Sequence, residues 1–115
     1  MVRRAVVRIL RRRYAVTDVP TAESALTLID GGASYDVILC DLHLSGMSGR
    51  DLVLTLEAQR PAQARRVVIL SGSPRTTMDD VFLAVIGPRF LEKPASIAEI
   101  DAIIGSLVGA SAQAA

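Results

Sequence analysis

Aromatic residues are scarce. Two Phe, two Tyr and no Trp make up 3% of a chain that is 50% hydrophobic. The core must therefore be assembled from Val, Leu, Ile and Ala, which suits a parallel sheet covered by helices, whose strands are apolar on both faces. The single cysteine, Cys40, excludes an internal disulfide, and its place inside an apolar run makes it a packed thiol rather than a reactive one. No apolar run approaches the ~20 residues needed to span a bilayer. Arginines follow Met1 with no continuous apolar segment behind them, unlike a signal peptide. A formal net charge of +1 gives no overall case for nucleic acid or an anionic membrane. The 115 residues are read as one cytoplasmic domain with its own core.

Apolar positions at helical spacing (Val2, Ala5, Val6, Ile9, Leu10) predict an amphipathic first helix up to about Arg13. Its polar face carries Arg3, Arg4, Arg8, Arg11, Arg12 and Arg13. A phosphate-backbone patch is one reading; a solvated face whose arginine stems cover apolar neighbours is the preferred one, since no aromatics interleave. Tyr14–Val19 is rich in β-branched residues and bounded by Pro20, so a short strand is expected there. Thr21 can cap a second helix through Asp30, stopped by Gly31 and Gly32.

Asp36-Val37-Ile38-Leu39-Cys40-Asp41 then reads as a buried strand that ends in a carboxylate where turn-forming sequence begins. Asp41 either caps that turn or faces a crevice at the carboxyl end of a sheet. A third helix is expected from about Arg50 to Ala58, a strand over Val67–Leu70 broken by Ser71-Gly72, and a fourth helix from Met78 to about Gly87. A short strand over Arg89–Glu92 follows, and a last helix opens with a capping box, Ser96 and Glu99. Residues 1–108 form the domain, with 109–115 as a flexible tail. Strands alternating with helices imply a parallel sheet with right-handed crossovers.

Three successive strands thus end in Asp41, Ser71 and Lys93, and the carboxyl ends of neighbouring parallel strands share one rim. A carboxylate, a hydroxyl and an ammonium together suit phosphoryl chemistry. The carboxylate can form an acyl phosphate, the hydroxyl donates to a phosphoryl oxygen, and the ammonium offsets its charge. Gly72 leaves backbone room beside them.

These motifs (strand-Asp41-Leu42 with Gly49, Ser71-Gly72, and Phe90-Leu91-Glu92-Lys93-Pro94) resemble the receiver domain of bacterial two-component response regulators over nearly the whole chain. The resemblance implies a flavodoxin-like α/β fold, a three-layer parallel sheet with helices on both faces and strand order 2-1-3-4-5. It also implies Asp41 as phosphoacceptor for a sensor histidine kinase, Ser71 as the hydroxyl that senses the phosphoryl group, Lys93 as ion partner and Phe90 as an aromatic switch. A cis bond before Pro94 is implied as well. The ending resembles C-terminal receivers of hybrid sensor kinases.

The sequence departs from the family pattern at its start. The pattern has a first, central strand ending in two acidic residues, and here Met1 already falls at the helix. That acidic pair would hold Mg²⁺ together with Asp41 and the backbone carbonyl of His43, so metal binding is expected to be weakened. Open strand edges are expected too, to be closed by the Tyr14–Val19 strand, by self-association with a second chain, or by upstream residues if the sequence is a truncation, the preferred explanation. The alternative is a degenerate, non-phosphorylated receiver acting as a protein-interaction module. A dehalogenase-like phosphatase is disfavoured, because His43 stands where its second aspartate would be.

Overall fold

The computed structural model describes the backbone of residues 4–114 and the side chains of residues 4–108. Val2 and Arg3 of the expected first helix lie outside the described residues, as do the side chains of the expected tail. The helices are α1 (Arg4–Leu10), α2 (Ala22–Asp30), α3 (Gly49–Gln59), α4 (Pro61–Ala64), α5 (Asp80–Ile86) and α6 (Ile97–Ala114). The strands are β1 (Ile38–Asp41), β2 (Val67–Ser71) and β3 (Phe90–Glu92), paired in parallel in the order β1-β2-β3. This is the expected α/β architecture, a parallel sheet with helices on both faces, with three strands among the described residues.

The period-2 alternation of strand side chains sorts the core into two layers. On one face Ile38, Cys40, Val67, Ile69 and Phe90 pack with α2, α3 and α5 through residues such as Ile29, Leu52, Leu56, Phe82 and Ile86. On the other, Val37, Leu39 and Leu91 meet Leu10 of α1 and Ile100 and Ile104 of α6. All five residues of β2 are buried, as a strand with neighbours on both edges requires.

One expected element is corrected. Tyr14–Val19 carries no strand assignment. Its β-branched composition favours extended backbone, but a strand exists only when a neighbour completes its ladder. The segment leaves α1 tied to α6 instead: the Tyr14 hydroxyl donates to Asp101 at 2.9 Å, and the Arg13 guanidinium pairs with the same carboxylate.

Helix starts follow their caps. Thr21 Oγ1 accepts from Ser24 N–H, and the Ser96–Glu99 capping box forms in both directions. The fourth predicted helix starts later than Met78, because Asp79 accepts from Phe82 N–H and a short 3₁₀ turn, Arg75–Thr77, comes first. Asp79 is held down to about 2, first by the Arg50 guanidinium and then by that N–H, so the α5 cap stays ionised through the neutral range.

Two polar side chains hold buried backbone together. The Gln63 amide brackets Tyr35, accepting its N–H at 3.0 Å and donating to its carbonyl at 2.9 Å. The Arg89 guanidinium donates to the carbonyls of Ala64, Val67 and Val85. Arg89→Ala would orphan three carbonyls, and is expected to lower unfolding free energy by on the order of 3 kcal/mol in urea titration. Burial and the neighbouring Asp41 charge push the Cys40 thiol up to about 12. Cys40 should therefore resist thiol reagents in the native protein and react at the normal rate in denaturant.

Candidate functional site

β1, β2 and β3 run in parallel, so their carboxyl ends lie on one rim. Asp41 closes β1, Ser71 closes β2, and Lys93, the only lysine in the sequence, follows β3 directly. The register is set by backbone bonds at this rim: Leu42 N–H donates to Leu70 O at 2.8 Å and Lys93 N–H to Ser71 O at 2.6 Å. Two of the three expected side chains meet. Lys93 Nζ lies 2.7 Å from Asp41 Oδ1, across the end of the strand between them. Asp41 is the more covered partner, with its side chain 19% exposed against 38% for Lys93. Partial shielding strengthens the pair relative to a fully solvated one.

Ser71 stands between them but turns elsewhere. It is 1% exposed, its Oγ donates to Ser73 O at 2.9 Å and accepts from Ser73 N–H at 3.0 Å. The hydroxyl thus folds the loop after β2 onto itself rather than contacting Asp41. His43 is exposed, and its Nε2 lies 3.3 Å from Ser73 Oγ, so the loops after β1 and β2 touch at Ser73. Nothing in the strand-end pattern pointed to Ser73, whose part depends on how that loop closes.

Phe90 is buried, packed edge-on to Phe82 at 6.4 Å between centroids. The Arg75 guanidinium carbon sits 5.8 Å from the Phe90 centroid, within cation–π range. Arg75 is held there by Gly87 O, which accepts from its guanidinium at 2.6 Å, and by Glu92 Oε1, which accepts from the Arg75 backbone N–H at 2.8 Å. Sequence reasoning overlooked Arg75, since an arginine in a turn carries no signal of the ring beneath it. The Lys93–Pro94 bond is cis, as the resemblance implied.

The loop from Asp41 to α3 is shaped by glycines. Gly46 has φ 75°, and a Cβ there would fall 2.6 Å from Glu23 Oε2, whose other oxygen accepts from Met47 N–H. At Gly49 a Cβ would fall 2.7 Å from Asp41 O and 3.0 Å from Leu42 Cα, both backbone atoms that cannot yield cheaply. Beside Gly72 a Cβ would meet nothing within 4 Å, in line with the room expected there.

The implied magnesium site does not fit the described residues. No group of three His, Cys, Asp or Glu side chains converges among them, and the Asp41 carboxylate is already paired with Lys93. A single carboxylate and a carbonyl fall short of the near-octahedral oxygen set that Mg²⁺ demands.

The family model described as response regulator receiver domain matches residues 1–105. Among solved structures, a Francisella response regulator receiver domain superposes with a TM-score of 0.77 at 25% identity, covering 93% of this chain and 87% of that one. A Burkholderia pseudomallei response regulator, described with a phosphorylated aspartic acid, calcium ion and citrate, is 26% identical with a TM-score of 0.64. That match covers 96% of this chain and 65% of the other. The receiver domain of an HD domain-containing protein from Pseudomonas fluorescens shares the fold, with a TM-score of 0.72 at 19% identity over 96% of this chain and 91% of that one. No curated protein matches the sequence.

Gly49→Ala is expected to cost about 1–3 kcal/mol through overpacking, whereas Gly72→Ala should stay within about 0.5 kcal/mol. Paired chemical denaturation curves would separate them, and equal losses would refute the close approach at Gly49.

Proposed function

Because the chain belongs to the response regulator receiver family, whose members serve phosphorelay signalling, we propose that it takes a phosphoryl group onto Asp41 from the phosphohistidine of a sensor histidine kinase. The observation that carries this is the Asp41–Lys93 pair at the rim, with the Ser71 hydroxyl on the strand between. Lys93 holds Oδ1, which leaves Oδ2 as the attacking oxygen. It forms a bond to phosphorus as the phosphorus–nitrogen bond breaks, and the released imidazole keeps the bonding electrons and takes a proton from solvent. The product is an aspartyl phosphate, whose added negative charge the Lys93 ammonium offsets.

Signalling follows from the partners Ser71 would have to leave. To donate to a phosphoryl oxygen, its Oγ gives up Ser73 O, which frees the loop that leads to Arg75. Arg75 lies over Phe90, so a shift of that loop loosens the cover of the ring and alters the surface near α5. Phe90 is the readout in this scheme and Ser71 the sensor.

A second reading is favoured by one observation, the lack of a converging acidic group among the described residues. Without cation-assisted charge neutralisation, phosphoryl transfer is slow, and the domain would then act through protein contacts alone. Incubation with acetyl phosphate, with and without Mg²⁺, followed by intact mass measurement, separates the two. A slow, substoichiometric gain of one phosphoryl group is expected, nearly independent of Mg²⁺ and lost in Asp41→Asn. A complete lack of adduct would overturn the phosphoacceptor reading in favour of the interaction module. A rapid, stoichiometric, Mg²⁺-dependent gain would overturn the misfit of the metal site.

A further inference from the structure

α5 is held at both ends by arginine. At its start the Arg50 guanidinium pairs at 2.7 Å with Asp79, the residue that caps the helix. At its end the Arg75 guanidinium donates to Gly87 O at 2.6 Å. Arg75 precedes the helix and Gly87 follows it, so this one bond closes the whole α5 segment into a loop. A cation suits that place, because the last carbonyls of a helix carry its negative end.

The same guanidinium faces Phe90, with its carbon 5.8 Å from the ring centroid. Another cover of that ring is Phe82, which lies within α5 and packs edge-on at 6.4 Å. Phe90, only 8% exposed, is thus enclosed by a residue of α5 and by the residue that closes α5. A guanidinium can do both, since its plane stacks on an aromatic face while its edge donates to an oxygen. The Arg75 backbone is anchored separately: its N–H donates to Glu92 Oε1 at 2.8 Å, and its carbonyl accepts from Met78 N–H at 3.0 Å. These bonds do not involve the side chain, so the turn keeps its shape without the guanidinium.

We propose that Arg75 is a latch that holds Phe90 buried before any phosphoryl transfer, and that release of its guanidinium from Gly87 O exposes the ring. This rests on the reading of Phe90 as the readout position, but not on Asp41 as phosphoacceptor. The latch makes α5 and the ring one unit. When Ser71 leaves Ser73 the loop after β2 is freed, yet ring and helix stay closed until the guanidinium lets go. Arg75 is a positioning residue in this scheme, acting through Phe90 and α5.

The test uses the full chain, unphosphorylated, with 4-fluorophenylalanine at its two phenylalanines, Phe82 and Phe90. The shift of each fluorine resonance between H₂O and D₂O reports the exposure of its ring. Arg75→Met removes the guanidinium and keeps an apolar stem. It is expected to raise the exposed population of Phe90 about tenfold, as loss of a cation–π contact and a charge-assisted hydrogen bond implies. Phe82 should keep its solvent shift. Arg75→Lys retains the charge without the planar fork, so its Phe90 shift should fall between the other two. The same differences are expected in an Asp41→Asn background, which has no carboxylate at that position to phosphorylate. An unchanged Phe90 shift in Arg75→Met would overturn the latch. So would an equal change at Phe82, which would make Arg75 a general prop of the core, or an effect that disappears in Asp41→Asn. Failure of the phosphoacceptor reading would show instead as no mass gain with acetyl phosphate, with the latch intact.

Discussion

β2 has a neighbour on each edge, and its five residues are all buried. Its ladders set the heights at which β1 and β3 end, and so decide that Asp41 and Lys93 come level with Ser71. Backbone bonds at the rim, from Leu42 to Leu70 and from Lys93 to Ser71, fix that alignment to the residue. A one-residue slip would turn every core side chain of a strand to the opposite layer. The burial of β2 therefore protects the geometry of the site as well as the core. Arg89 reinforces the same arrangement, binding carbonyls at the entry to β2, at the end of α4 and in α5.

At the rim, chemistry and electrostatics pull apart. The Asp41–Lys93 pair places the carboxylate proposed as phosphoacceptor in contact with a cation, while no group of three metal-binding side chains converges among the described residues. Lys93 is the cation that pairs with Asp41. The Ser71 hydroxyl is committed to Ser73, and Phe90 is enclosed between Phe82 and Arg75. The short loop and 3₁₀ turn between them thus connect Ser71, the proposed sensor, to Phe90.

Helices with strong caps and continuous apolar strands were legible from local residues. Thr21, Ser96 and Glu99 announce their helices, and the runs ending in Asp41 and Ser71 announce theirs, because caps and buried strands are written in adjacent positions. The α5 start was read too early: Met78 belongs to the apolar pattern, but the side chain that accepts the helix N–H is Asp79. Ser73 and Arg75 were not legible, since each acts through a contact that the loop creates.

By itself the sequence determined the kinds of residue at the strand ends, the glycines of the β1–α3 loop and an aliphatic core divided between strands and helices. These follow from short-range preferences, which depend only on neighbouring side chains. Tertiary structure alone decided which extended segments became strands. Tyr14–Val19 has the composition of one and is not, while Phe90–Glu92 is shorter and is, because β2 pairs with it. A ladder is a bond between distant segments, and its free energy is available only where a partner edge stands at hydrogen-bonding distance. The cleft that Val37 and Leu39 line is likewise tertiary, since its walls come from α1, α2, α6 and Tyr14–Val19, segments far apart in the chain.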